Sequence, residues 1–198
     1  MAKGLVLVTG ASGYIAGFTI KALLADGWSV RGTVRDTAKA ARVRQTLDAP
    51  GLDLVSADLV ADNGWAEAVA GVDHVLHMAS PIPQRAPRDD DELIVPARDG
   101  ALRVLRAARD AGVRRVVMTS SVAAICYGRD VNPPRFTEND WTNPDHPDSY
   151  AYVRSKTIAE RAARDFMAAE GGSTEFCTIN PGAVLGPLPV SYTHLTLP

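Results

Sequence analysis

The run Val6-Leu7-Val8-Thr9-Gly10-Ala11-Ser12-Gly13-Tyr14-Ile15-Ala16-Gly17 constrains this chain more than any other. It reads as an apolar strand, a tight glycine turn and the first turn of a helix. Gly10 can take backbone angles closed to other residues. Gly13 leaves room for a ligand to approach the main chain. Ala16, nearly as small as glycine, lets the helix pack close to the strand. The free N–H groups at the helix start, aided by the helix dipole, then face an anion. Such a turn grips the phosphates of a dinucleotide. A glycine pattern alone arises readily by chance, so the rest of the chain has to supply the context.

That context is an alternation. Strand-sized apolar runs at 5–9, 28–34, 52–57, 72–79, 113–119 and 174–179 alternate with helical runs at 14–25, 38–47, 64–70, 93–111 and 149–170. This order predicts an α/β fold, a doubly wound parallel sheet with helices on both faces, known as a Rossmann fold. Thr37 is the expected cap of the helix at 38–47. Residues 80–87 form a proline-rich loop, and the charge cluster at 88–92 reads as a solvated helix entry. Between 124 and 147 the pattern fades into Gly, Pro, Asn and Asp, and loops of that length in a compact domain are often functional.

The 198 residues suffice for one domain with a real core. A net charge of −2 implies no strong pull toward nucleic acid or an anionic membrane. The apolar runs are too short to span a bilayer. The N-terminus enters a strand directly, with no signal-peptide architecture, so a cytoplasmic protein is expected. Cys126 and Cys177 lie far apart without partner residues at ligand spacing, which points to reduced thiols and no metal site.

The chemistry-bearing residues lie where such a sheet presents them. Tyr152 and Lys156 are four apart and share one helical face. The ammonium can then favour the ionised phenol; lowering a tyrosine pKa from about 10 to about 7 takes about 4 kcal/mol. The plainer alternative is a surface pair. Tyr150 is a rival phenol, but its partner at the same spacing is Arg154, which cannot shuttle protons. Thr119-Ser120-Ser121 follows the fifth strand, beyond whose carboxyl end ligands sit. Ser121 is the preferred donor to a substrate carbonyl over Ser120, with turn chemistry or capping as the plainer alternative.

Arg35 closes the second strand, where that strand meets the adenosine ribose. A guanidinium there pairs with a 2′-phosphate and favours NADP over NAD, which the neighbouring Asp36 keeps open. Arg42 on the next helix could add a second charge. Asp58-Leu59 ends the third strand, placed for an adenine amino group or else for a simple turn. His77, before Met78-Ala79-Ser80, reads as a packed core histidine rather than a base. No residue order suggests hydrolysis, and no spacing suggests zinc or calcium.

Together these residues resemble the extended short-chain dehydrogenase/reductase superfamily, and within it the dihydroflavonol 4-reductase and cinnamoyl-CoA reductase branch with its bacterial aldehyde-reductase-like members. The resemblance is carried by Val8 to Ala16, Thr33-Val34-Arg35-Asp36, Ala57-Asp58-Leu59, His77 to Pro81, Val116 to Ser121, Tyr152 to Lys156, and Asn180-Pro181 with Gly186-Pro187. It implies a catalytic triad of Ser121, Tyr152 and Lys156 that reduces an aldehyde or ketone with hydride from NADPH. It also implies that the dinucleotide meets Thr9, Gly10, Ser12, Gly13, Tyr14, Ile15, Arg35, Arg42, Asp58, Leu59, Met78, Ala79, Ser80, Tyr152, Lys156 and Pro181. Ala16 departs mildly from the branch's more common third glycine.

Members of the branch are considerably longer, so residues 1–187 are expected to be the dinucleotide-binding domain with the substrate lobe largely missing. Residues 188–198 have no counterpart in the branch, and Val190 to Leu195 looks like the translated end of a transposase sequencing adapter. By family analogy, a homodimer would form through the long helices after the fourth and fifth strands. The rival readings are a nucleotide-sugar epimerase or dehydratase of the same superfamily, a non-catalytic dinucleotide-binding module, and an inert fragment. Sequencing the source locus across codon 188 tests the tail, which is expected to give way to different coding sequence; the tail as written would refute the adapter origin.

Overall fold

The computed structural model describes residues 3–81, 87–131, 133 and 135–187. The tail at 188–198 and most of the proline-rich loop lie outside the described residues. The elements run β1 (Leu5–Val8), α1 (Tyr14–Ala25), β2 (Ser29–Val34), α2 (Ala40–Leu47), β3 (Asp53–Ser56), α3 (Trp65–Val69), β4 (His74–His77), α4 (Asp91–Asp110), β5 (Arg115–Thr119), α5 (Ala151–Glu170) and β6 (Glu175–Ile179). All six strands are parallel, in the order β3-β2-β1-β4-β5-β6. The chain winds outward from β1 to β3, then crosses back to place β4 beside β1. The order reverses between these two strands, and there a crevice opens at their carboxyl ends.

The apolar runs explain the layering. Alternate residues of β1 face opposite ways: Leu7 packs with α3, α4 and α5, while Val6 and Val8 pack with α1 and α2. A strand buried on both faces must be apolar throughout. On α1 the buried residues are Ala16, Gly17 and Ile20, while Phe18 is 43% exposed. Small residues bring this helix close; a Cβ on Gly17 would stand 3.1 Å from Leu47 Cδ2.

Two local expectations are corrected. Thr37 does not cap α2: Asp36, in extended conformation, accepts the Ala38 N–H at 2.9 Å, and Thr37–Lys39 forms a single 3-10 turn before α2. A carboxylate outcompetes a hydroxyl for that amide. The last long helix starts at Ala151 rather than at Ser149, whose buried side chain instead donates to the Asn143 carbonyl at 2.6 Å. The charge cluster at 88–92 is the largely exposed entry of α4, as expected, with Asp90 also paired to Arg154 at 2.5 Å.

Leu7 is fully buried and Val131 is 83% exposed. Leu7→Ala is expected to lower the unfolding free energy by about 2–5 kcal/mol. Val131→Ala should stay within about 0.5 kcal/mol. Urea denaturation of both variants checks this.

Candidate active site

The crevice is built from strand ends. Gly10 has φ +71°, and a Cβ there would meet Ala79 Cα at 3.1 Å. Its N–H donates to Thr33 Oγ1 at 2.9 Å and its carbonyl accepts the Gly13 N–H at 2.8 Å. Gly13 precedes α1 in extended conformation and makes no side-chain cap, and the first turn of α1 carries no acidic residue. The N-terminal amides therefore keep their attraction for an external anion.

Thr9 lies one layer behind, fully buried. Its Oγ1 accepts the N–H groups of Met78 at 3.0 Å and Ala79 at 2.9 Å, and lies 2.9 Å from His77 Nδ1. With two donors already aimed at the oxygen, the hydroxyl proton goes to the imidazole. Burial, reinforced by the charge of Lys156, pushes the His77 pKa down to about 3. His77 is thus the neutral core histidine that the sequence predicted.

A cavity of about 910 Å³ fills the crevice. Its wall includes Gly10, Ser12, Gly13, Arg35, Asp58, Leu59, Met78, Ala79 and Ser80 from the expected set. Arg35 is exposed at the rim. Asp58 lines the cavity, and its Oδ1 accepts the Val60 N–H at 3.2 Å, as its turn reading expects. Thr9, Tyr14, Ile15, Arg42, Tyr152, Lys156 and Pro181 of that set do not line the cavity, and neither does Ser121. Tyr14 instead donates to the Pro187 carbonyl at 3.2 Å, and Pro181 accepts the Val122 N–H at 3.1 Å. Glu92, Leu93 and Pro96 of α4 also line it, unforeseen in the sequence. No local signal marks them, since only the crossover from β4 swings α4 across the opening.

The second half of the site comes from α5. The Lys156 ammonium is buried, donates to Ser80 Oγ at 2.8 Å, and sits 5.8 Å from the centre of the Tyr152 ring. Burial pushes its pKa from 10.5 down to about 8, against the opposing pull of Glu160. Tyr150 stacks on Tyr152 with ring centres 6.4 Å apart, but is 56% exposed. Its pKa is raised by burial and by the neighbouring phenols, Tyr127 first. Arg154 turns away from it to Asp90 and to the Pro144 carbonyl at 2.9 Å. Among the described residues, no cation is seen to support the ionised form of the rival phenol.

Ser121 caps the 3-10 turn Val122–Ala124, accepting the Ala123 N–H at 3.1 Å. That capping role leaves its O–H free to donate. The turn packs against α5, the helix of Tyr152 and Lys156. Among the described residues Ser120 Oγ is buried without a hydrogen-bond partner. Also among the described residues, no cluster of three or more His, Cys, Asp or Glu could hold a metal ion, and no helix is long and apolar enough to cross a membrane.

Comparison with known proteins agrees with this architecture. The model of the NAD dependent epimerase/dehydratase family matches residues 6–196. A dihydroflavonol 4-reductase from Zea mays is 35% identical over 195 residues, covering 93% of this chain and 54% of the relative. A cinnamoyl-CoA reductase from Medicago truncatula is 38% identical over 192 residues, covering 92% and 58%. The chain thus spans little more than half the length of these relatives. The crystal structure of the yeast methylglyoxal/isovaleraldehyde reductase Gre2 complexed with NADPH superimposes with a TM-score of 0.81 at 28% identity, covering 92% of this chain and 59% of Gre2. Gre2 from Candida albicans in complex with NADPH gives 0.81 at 34% identity, covering 92% and 59%.

The buried imidazole has a consequence for stability. Between about pH 3 and 6.5 the unfolded chain binds a proton that folded His77 refuses. Stability therefore falls as pH drops through that window. Urea denaturation across it is expected to show this slope in the wild type and a shallower one in His77→Gln.

Proposed function

We propose that this chain, which belongs to the NAD dependent epimerase/dehydratase family, is an NADPH-dependent reductase that converts an aldehyde or ketone into an alcohol. The observation that carries this reading is the placement of Lys156, a buried ammonium bonded to the cavity wall at Ser80 and lying beneath the Tyr152 ring. NADPH complexes among the structural relatives support the cofactor.

The residues fit a dinucleotide. The cradle at Gly10 is space that a Cβ would fill against Ala79, and the bare α1 terminus suits a pyrophosphate. Arg35 at the rim supplies a fixed cation with bidentate donors for a 2′-phosphate. When bound, the nicotinamide supplies hydride to the substrate carbonyl.

The steps at the carbonyl oxygen are assigned to residues of this chain. The free O–H of Ser121 holds the carbonyl oxygen and stabilises charge developing there. Tyr152 delivers the proton to that oxygen. Lys156 stabilises the phenolate left behind, and its contact with Ser80 fixes it beside the cavity. Below about pH 8 Lys156 is charged, so reduction should decline as pH rises through that value.

NADPH oxidation with a panel of aldehydes and ketones tests this reading. Tyr152→Phe is expected to lower kcat by about 100-fold to 10,000-fold. Unchanged turnover in that variant would defeat the assignment of the acid. Arg35→Ser should weaken NADPH binding by about tenfold to 100-fold and leave NADH nearly unaffected; equal effects on the two would remove Arg35 from the 2′-phosphate site.

A further inference from the structure

Behind the candidate site lies a buried carboxylate that the proposed chemistry does not use. Glu160 is 2% exposed and sits one helical turn beyond Lys156. Its Oε1 accepts Arg164 Nε at 3.0 Å, Arg164 Nη2 at 2.9 Å and Thr178 Oγ1 at 2.9 Å. Its Oε2 accepts Asn180 Nδ2 at 2.7 Å. Only a carboxylate can accept on both oxygens; a glutamine would turn its own donor toward one of these sets. Apolar side chains generally fill buried space at less cost than an ion pair. A buried charge so fully satisfied therefore points beyond packing.

The second hydrogen of Asn180 Nδ2 goes to the Ser121 carbonyl at 3.1 Å. This bond is the middle of three that splint residues 179–181 to residues 120–122. On one side the Ser120 N–H donates to the Ile179 carbonyl at 2.8 Å, and on the other the Val122 N–H donates to the Pro181 carbonyl at 3.1 Å. Both flanking bonds are main chain to main chain. The central one runs through a side chain, and through Glu160 it reaches the helix that carries Tyr152 and Lys156.

We propose that Glu160, acting through Asn180, is a positioning residue that locks the Ser121 turn to the face of α5 bearing Tyr152 and Lys156. The roles of those three residues rest on the reductase reading; the lock itself does not. Glu160 also opposes the loss of the Lys156 proton. Among the described residues, the titratable groups that interact with Lys156 are His77 from β4, with Tyr152 and Glu160 from α5. At the packed helix α4, the preceding Asp90 pairs with Arg154, Arg109 pairs with Glu170, and Glu92 lines the cavity. Around Glu160 the corresponding groups are Arg164 and Lys156.

Glu160→Gln and Asn180→Ala in this chain provide the test. Their folding is checked by thermal unfolding. The Lys156 titration is followed by NMR of isotopically labelled lysine, and exchange of the Val122 and Ala123 amides by native-state hydrogen exchange. Glu160→Gln is expected to lower the Lys156 midpoint and to speed exchange of both amides by about tenfold. Turnover should fall by about tenfold to 100-fold while the KM for NADPH stays within about twofold. Asn180→Ala, which leaves the bonds from Arg164 and Thr178 to Glu160 intact, should speed amide exchange without moving the Lys156 midpoint. A folded Glu160→Gln chain with the wild-type midpoint and wild-type exchange overturns the proposal. If Glu160→Gln does not fold, unchanged exchange in Asn180→Ala overturns it. A wild-type chain without NADPH-dependent turnover defeats the reductase reading instead, and the titration and exchange results still decide on the lock.

Discussion

Two backbone amides and one imidazole converge on the Thr9 hydroxyl, and the crevice depends on that convergence. Hydrogen bonding between β1 and β4 within the sheet aligns the strands only as far as their ends. Beyond the ends the main chains diverge, and nothing in strand geometry dictates where Met78 and Ala79 go. The hydroxyl draws both amides back toward β1, which brings Ala79 against Gly10. The lack of a side chain at Gly10 is then a requirement of packing as well as of backbone angle. Valine is nearly the same shape as threonine, but it would leave both amides without this acceptor.

The buried amine behind Ser80 depends on the same frame. Ser80 follows Ala79 directly, so the hydroxyl that fixes Ala79 also sets the place of the Lys156 partner. Lys156 is costly to bury, as the fall in its pKa shows, and one hydroxyl contact with one nearby carboxylate offsets only part of that cost. A charge held in poorly hydrated surroundings acts strongly on what lies beside it. The Tyr152 ring lies beside it, and so does the edge of the cavity.

Much of this was legible in the sequence, for physical reasons that differ from place to place. A strand buried on both faces has to be apolar throughout, so β1 stood out, whereas β3 and β6 at the sheet edges keep exposed polar residues such as Asp53 and Glu175. Gly10 and Gly13 announced the turn because few other arrangements need two small residues there. The helical period placed Tyr152 over Lys156. The misses arose where two residues compete for one contact or where a crossover decides. Asp36 and Thr37 can both cap, and acceptor strength settles it. Residues of α4 reach the cavity because of a path through space that no local pattern encodes. The partners of Glu160 were equally hidden, since Asn180 and Thr178 read as strand-end residues until the sheet sets β6 beside α5.

The bond between Thr9 and His77 spans 68 positions of sequence. The glycine turn is made early in the chain, but the wall it leans on arrives only with β4. During synthesis the strand β1 must wait, unpaired on that side, until two further strands and three helices have emerged. Closing so long a loop is entropically slow, and parallel strands offer no local hairpin to speed it. The crevice is therefore completed only after β4 has emerged. A nascent chain ending before Ala79 would present the glycine turn without the wall it leans on.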